Sequence, residues 1–127
     1  MNIEKINIPV LILAGGLAKR IHSITKNMPK ALIQICGKPF IDWQLRYLAR
    51  SGIQKVILCL GHMGEDIEKY VESGDRYNLE VEYSYDGSKL LGTGGAIKKA
   101  LPLLDKNFFV TYGDTFLPID YLEVYNA

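Results

Sequence analysis

Three short apolar runs that end in glycine constrain the fold of this chain more than any other feature. Pro9-Val10-Leu11-Ile12-Leu13-Ala14 leads into Gly15-Gly16, and Lys55-Val56-Ile57-Leu58-Cys59-Leu60 leads into Gly61. Phe108-Phe109-Val110-Thr111-Tyr112 leads into Gly113-Asp114. The first two are continuous apolar runs that mark strands buried on both faces, the pattern of a parallel sheet, and the third is another strand. Helical patterns lie between them. Ile41, Leu45 and Leu48 share one face of a segment that closes at Ser51-Gly52, and Ile67, Tyr70 and Val71 share another before a break at Gly74. Thr93 can cap a third helix, with apolar face Ile97, Ala100, Leu101 and Leu104. Leu79 to Tyr85 alternates apolar and polar residues, as a half-exposed strand does. Ala31-Leu32-Ile33-Gln34-Ile35 is a further apolar run, closed by a Cys36-Gly37-Lys38-Pro39 turn. Ile119, Leu122 and Glu123 open a last helix. Strands alternating with helices on short loops predict a layered α/β fold with a mainly parallel sheet.

Composition sets the outer bounds. Of the 127 residues, 48% are hydrophobic and 23% charged, which suits one globular domain over residues 1–127 and argues against disorder. A net charge of +1 gives no electrostatic reason to expect nucleic acid or an anionic membrane as partner. No apolar run approaches the roughly 20 residues of a membrane span, and the first residues lack a signal-peptide layout, so a cytoplasmic location is expected. Cys36 and Cys59 stand 23 apart with no Cys-x-x-Cys and are read as small buried apolar residues. Trp43 is read as a core residue or a contact between elements. The sequence breaks off soon after a strand, so the expectation is one half of a larger domain, C-terminally truncated. A homo-oligomer is compatible with this reading.

Ligands of an open parallel sheet sit outside the carboxyl ends of its strands. Gly15-Gly16, Gly61 and Gly113 fall at such ends, and Gly92-Thr93-Gly94-Gly95 opens a helix. Glycines there let a flat or charged ligand approach backbone N–H donors. The segment after Gly16 carries Lys19, Arg20, Lys26 and Lys30 within 12 residues, and Pro29 stiffens the backbone beside Lys30. Cations beside bare amides make a phosphate cradle; a solvated loop with ordinary lysines is the alternative. Neither a P-loop nor the dinucleotide Gly-x-Gly-x-x-Gly is present. Asp114 suits Mg²⁺ held against substrate phosphates, or else an Asx turn or helix cap. His22 and His62 are isolated, and no Gly-x-Ser-x-Gly elbow supports nucleophilic catalysis.

These residues together resemble the sugar-phosphate nucleotidyltransferase family. The matching segments are Leu11 to Gly16 with Arg20 downstream, Met28 to Leu32, Gly37 to Ile41, the run ending at Gly61, Leu91 to Ala96, and Gly113-Asp114. Within the family, Leu-Gly-Thr-Gly-Gly-Ala followed by Gly-Asp-Thr-Phe is most similar to guanylyltransferases acting on heptose or mannose 1-phosphates. The resemblance implies a Rossmann-like α/β/α domain that joins a nucleoside triphosphate to a sugar 1-phosphate with Mg²⁺, releasing pyrophosphate. It implies that Leu13, Ala14, Gly15 and Gly16 contact the nucleotide through backbone groups, with Gly92 at the base edge and Thr93 beside it. Arg20 would hold the β- and γ-phosphates, Lys30 would neutralise charge where the two phosphates meet, and Asp114 would bind the metal. The loop departs from the family's Gly-Gly-x-Gly-Thr-Arg-Leu at Ala18 and Lys19. If the glycine replaced by Ala18 needs a positive φ, alanine strains the loop. A catalytically degenerate nucleotide-binding module, and a cytidylyltransferase acting on choline phosphate, are the alternative functions. The 127 residues alone are expected to turn over weakly or not at all.

Overall fold

The computed structural model of the chain describes residues 5–15, 17–19, 27–61, 64–85, 92–104 and 106–112. The first apolar run forms β1 (Val10–Leu13). It is followed by a two-stranded antiparallel ribbon, β2 (Leu17–Lys19) and β3 (Asn27–Pro29), with Leu17 opposite Pro29 and Ala18 opposite Met28. A 3-10 turn over Lys30–Leu32 leads to a small hairpin, β4 (Gln34–Ile35) and β5 (Lys38–Pro39). Helix α1 (Phe40–Arg50), strand β6 (Lys55–Leu60), helix α2 (Gly64–Val71) and strand β7 (Glu80–Tyr85) follow. Helix α3 (Gly92–Ala100) and strand β8 (Phe109–Tyr112) complete the described chain.

The main sheet has four strands in the order β7-β6-β1-β8, all parallel. Val10 lies beside Val56 on one side and Phe109 on the other, and Leu13 lies beside Cys59 and Tyr112. The buried-strand pattern is confirmed in β1 and β6, where Val10, Leu11, Ile12 and Val56 to Leu60 lose nearly all contact with solvent. Alternate residues feed two cores. Val10, Ile12, Val56, Leu58 and Leu60 pack with Ile41, Leu45 and Leu48 of α1 and Ile67 and Val71 of α2. Leu11, Ile57 and Cys59 face the other way and pack with Ala96 and Ala100 of α3. The molecule is therefore a three-layered α/β/α sandwich, the Rossmann-like architecture expected.

Several local expectations are corrected. Residues 31–35 do not form a buried run: Ala31 is buried, but Ile33 and Ile35 are exposed, because the segment turns over the surface instead of entering the sheet. Cys59 is buried as expected, whereas Cys36 is exposed at the tip of the hairpin with φ of 50°. With Gly37 at φ 84°, the pair makes the left-handed turn that a two-residue hairpin loop requires. Trp43 is not a core residue. It lies on the exposed face of α1, where its indole N–H donates to the Ile35 carbonyl at 2.8 Å and the Lys38 ammonium sits over its ring. Helix α3 opens at Gly92, which puts Thr93 inside the first turn instead of at the cap, and Leu101 falls in an exposed 3-10 turn beyond its end. The helix expected from Ile119 lies outside the described residues.

A buried carboxylate ties the helices of one layer together. Asp42, in the first turn of α1, accepts hydrogen bonds from Arg46, from the Tyr70 hydroxyl of α2 at 2.9 Å and from the Tyr77 hydroxyl at 2.8 Å. Arg76 stacks on both tyrosine rings and donates to the Tyr77 oxygen at 3.0 Å. Burial raises the Asp42 carboxyl, but the bonds from Arg46, Tyr77 and Tyr70 outweigh it and hold the group below its ordinary value of 3.8. Burial and the same carboxylate push the Tyr77 hydroxyl far up, so it stays a protonated donor. A carboxylate with a depressed folded-state value stabilises the fold above its unfolded value, and that contribution is lost as the pH falls through the lower one. The thermal midpoint should therefore fall below pH 3.8, and Asp42→Asn should lower the midpoint at neutral pH and flatten the acid limb. Circular dichroism melts from pH 2 to 7 test this; equal acid limbs in the two proteins would place the sensitivity elsewhere.

Candidate nucleotide site at the carboxyl edge of the sheet

Parallel pairing sends the carboxyl ends of β1, β6, β7 and β8 to one edge, where the chain leaves at Ala14-Gly15, Gly61, Tyr85 and Tyr112. Ala14 extends the ladder by one bond, its N–H donating to the Cys59 carbonyl at 2.9 Å. Leu13 is half-buried and Ala14 is packed in the core, so both contribute backbone rather than side chain to this edge. Gly15, half-buried, is the first residue clear of the strand.

The β2–β3 ribbon brings Lys30 back to the same place. Because Leu17 pairs with Pro29, Gly15 and Lys30 stand at the same open end of the ribbon, although 15 residues separate them in sequence. Lys30 is exposed, and its neighbour Ala31 is buried in the same cluster as Ala14, so the backbone beneath the ammonium is anchored beside β1. Ala18 occupies a strand position in this ribbon. Extended backbone suits alanine as well as any residue, which removes the strain that a left-handed glycine position would have imposed.

Two helices begin at this edge. Gly64 starts α2, donating to the Gly61 carbonyl at 3.0 Å. A Cβ on Gly64 would stand 2.6 Å from the Leu60 Cβ and 3.2 Å from the Tyr85 ring, so glycine is what lets α2 start against the strand ends. The Tyr85 hydroxyl donates to the Glu68 carboxylate of α2, and burial together with that carboxylate drives it far above its usual range. Burial, with Glu68 and Glu72 nearby, pushes the Tyr83 hydroxyl up to about 12. Both phenols stay neutral at physiological pH and act as donors, not bases. Helix α3 follows β7 and precedes β8, so as a crossover helix it also begins at this edge, with Gly92 and Thr93 in its first turn. Gly94 is exposed, and a Cβ there would meet open space.

Leu13, Ala14, Gly15, Lys30, Gly92 and Thr93 are thus gathered at one edge by the topology. Gly16, Arg20 and Asp114 lie outside the described residues, as do His22 and His62. Among the described residues no group of three His, Cys, Asp or Glu side chains could hold a metal ion, and no helix is long and apolar enough to cross a membrane. Sequence reasoning did not single out Gln44. Its side chain is buried within α1, and Nε2 donates to the Tyr112 carbonyl at 3.0 Å. A polar residue between Ile41 and Leu45 on a core-facing stripe is the signal that marks it.

Comparison with known proteins agrees with this geometry. Residues 9–126 match the Nucleotidyl transferase family model. The chain belongs to the nucleotidyl transferase family. It is 39% identical over 110 residues to the D-glycero-alpha-D-manno-heptose 1-phosphate guanylyltransferase of Campylobacter jejuni, a match covering 87% of this chain and 49% of that one. The enzyme of the same description from Aneurinibacillus thermoaerophilus is 39% identical over 117 residues, covering 91% of this chain and 50% of the relative. The crystal structure of HddC from Yersinia pseudotuberculosis complexed with GMP-PN superposes with a TM-score of 0.82 at 36% identity, covering 94% of this chain and 53% of that structure. The chain thus spans about half the length of the curated relatives it matches.

The contact at Gly64 yields a test of how the edge is built. Gly64→Ala should destabilise the fold by about 1–3 kcal/mol, the usual cost of forcing an extra carbon into a packed contact. Urea unfolding followed by circular dichroism measures this. An unchanged midpoint would mean that α2 can start further from Leu60 without penalty.

Proposed function

We propose that this chain is the nucleotide-binding portion of a nucleotidyltransferase that transfers a guanylyl group from GTP to a heptose or mannose 1-phosphate in the cytoplasm. The observation that carries the reading is the convergence of Gly15, Lys30 and the start of α3 on one sheet edge. The 39% identity to heptose 1-phosphate guanylyltransferases supports the choice of base and sugar class.

In the proposed reaction an oxygen of the sugar phosphate attacks the α-phosphorus of the triphosphate. A new P–O bond forms, the bond to the β-phosphate oxygen breaks, and pyrophosphate leaves with that electron pair. The nucleophile is already an anion, so no general base is required, and the task is to align two anions and offset their repulsion. The backbone of residues 13–16 contacts the nucleotide, the Ala14 amide itself being held in the ladder by Cys59, and Gly92 and Thr93 receive the base. Lys30 neutralises the meeting phosphates, and Arg20 stabilises the departing pyrophosphate. Asp114 supplies a hard carboxylate oxygen, the donor type that suits Mg²⁺, and the metal would offset phosphate charge.

A thermal-shift panel with ATP, GTP, CTP, UTP and dTTP tests the reading directly. Ligand at 100 times its Kd should stabilise the fold by about 2.7 kcal/mol. GTP is expected to give the largest shift, and absence of any shift would overturn the proposal. Lys30→Ala should change stability by less than about 0.5 kcal/mol, as substitutions at exposed positions usually do. The same change should weaken triphosphate binding about tenfold, the loss of one charge-assisted contact. Unaltered affinity in isothermal titration would remove Lys30 from the site.

A further inference from the structure

The Gln44 side chain reaches the carboxyl end of β8 from the helix layer. Among the described residues β8 pairs with β1 alone. Thr111 is buried, whereas Val110 and Tyr112 on either side of it leave their side chains exposed. Across the layer, Gln44 is 4% exposed and donates from Nε2 to the Tyr112 carbonyl at 3.0 Å, over a sequence separation of 68 residues. That carbonyl belongs to the last residue of β8, and Gly113-Asp114 follows it directly in the sequence. A buried amide joined to a main-chain carbonyl fixes both the height and the rotation of the peptide that carries it.

The helix that carries Gln44 is itself immobilised. Ile41, Leu45 and Leu48 anchor α1 in the larger core. Gln44 therefore reaches β8 from a fixed base. From this we infer that Gln44 is a positioning residue: it fixes the Tyr112 peptide, the carboxyl end of β8, at the sheet edge where the nucleotide is received. Gln44 does not touch substrate; it acts through the Tyr112 peptide. The inference rests on the nucleotide-binding reading of the edge given above.

Gln44→Met keeps the length and volume of the side chain and removes the donor. Gln44→Glu keeps length and polarity and sets an acceptor against the carbonyl. Tyr77→Phe is the control, since it removes one hydrogen bond from the Asp42 cluster on the far side of α1. Affinity for GTP, or for whichever triphosphate gives the largest shift in the panel, is measured by titration calorimetry well below every thermal midpoint. Amide exchange at Tyr112 is followed in the free proteins. Both Gln44 variants should raise the Kd at least fivefold and speed exchange at the end of β8. The Tyr77→Phe protein should bind within twofold of wild type despite its lower midpoint. Gln44 variants that bind like wild type, or a Tyr77→Phe loss of equal size, would overturn the inference while wild-type binding keeps the proposed function standing. Failure of both Gln44 variants to fold would assign the residue to the core and overturn it as well. Wild-type protein that binds none of the triphosphates would overturn both readings together.

Discussion

Parallel pairing of β1 with β6 on one side and β8 on the other is the constraint from which the rest of the molecule follows. Neighbouring parallel strands cannot be joined by a tight turn, so the chain must cross from one edge of the sheet to the other each time. Both faces then need covering, which is why Val10 and Ile12 feed one core and Leu11 the other. The same pairing sends every strand of the main sheet out at one edge and starts α2 there as well. Backbone amides and helix starts accumulate at that edge as a consequence of topology, before any side chain is chosen for chemistry.

Helix α1 links this edge to the body of the protein. Asp42 and Gln44 are both buried, two residues apart, and bond in different directions: Asp42 to Tyr70 and Tyr77 beyond α2, Gln44 to the end of β8. Leaving the Tyr77 hydroxyl or the Asp42 carboxylate buried without a partner would cost about 1–3 kcal/mol for each group. The cluster therefore favours one rotational setting of α1. Gln44 bonds Tyr112 from the other side of the helix, so α1 carries two polar attachments that lead to different elements.

Strands β1 and β6 were legible because burial on both faces leaves a continuous apolar run, β7 because one buried face leaves an alternation, and the three helices because each carries an apolar stripe. The β2–β3 ribbon was not legible. Its strands are three residues each and belong to a polar stretch in which no alternation stands out. The exposed Ile33, Ile35 and Cys36 misled for a related reason: hydrophobicity marks what could be buried, and a short hairpin over α1 buries little of it, while Trp43 makes the contact between elements that was its other reading. Gly15, Lys30 and Gly92 could be read from their positions at strand and helix ends. Asp42 and Gln44 could not be assigned partners, since a buried polar residue on a helix is defined by groups 28 to 68 residues away that only the folded chain brings to it.

Charge makes the two helix starts at the carboxyl edge unequal. A helix N-terminus carries the positive end of its dipole, and acidic side chains in the first turn offset it. Helix α2 has Glu65 and Asp66 in that turn, both exposed, so its start is already occupied by its own carboxylates. Helix α3 opens Gly92-Thr93-Gly94-Gly95 with no acid in its first turn. The net charge of +1 provides no broad positive field, so attraction for an anion at this edge must be local. The local sources are the start of α3 and Lys30, which the ribbon returns beside Gly15. An electron-rich ligand lying between these two, and away from the acidic start of α2, is the arrangement that the electrostatics of the edge favours.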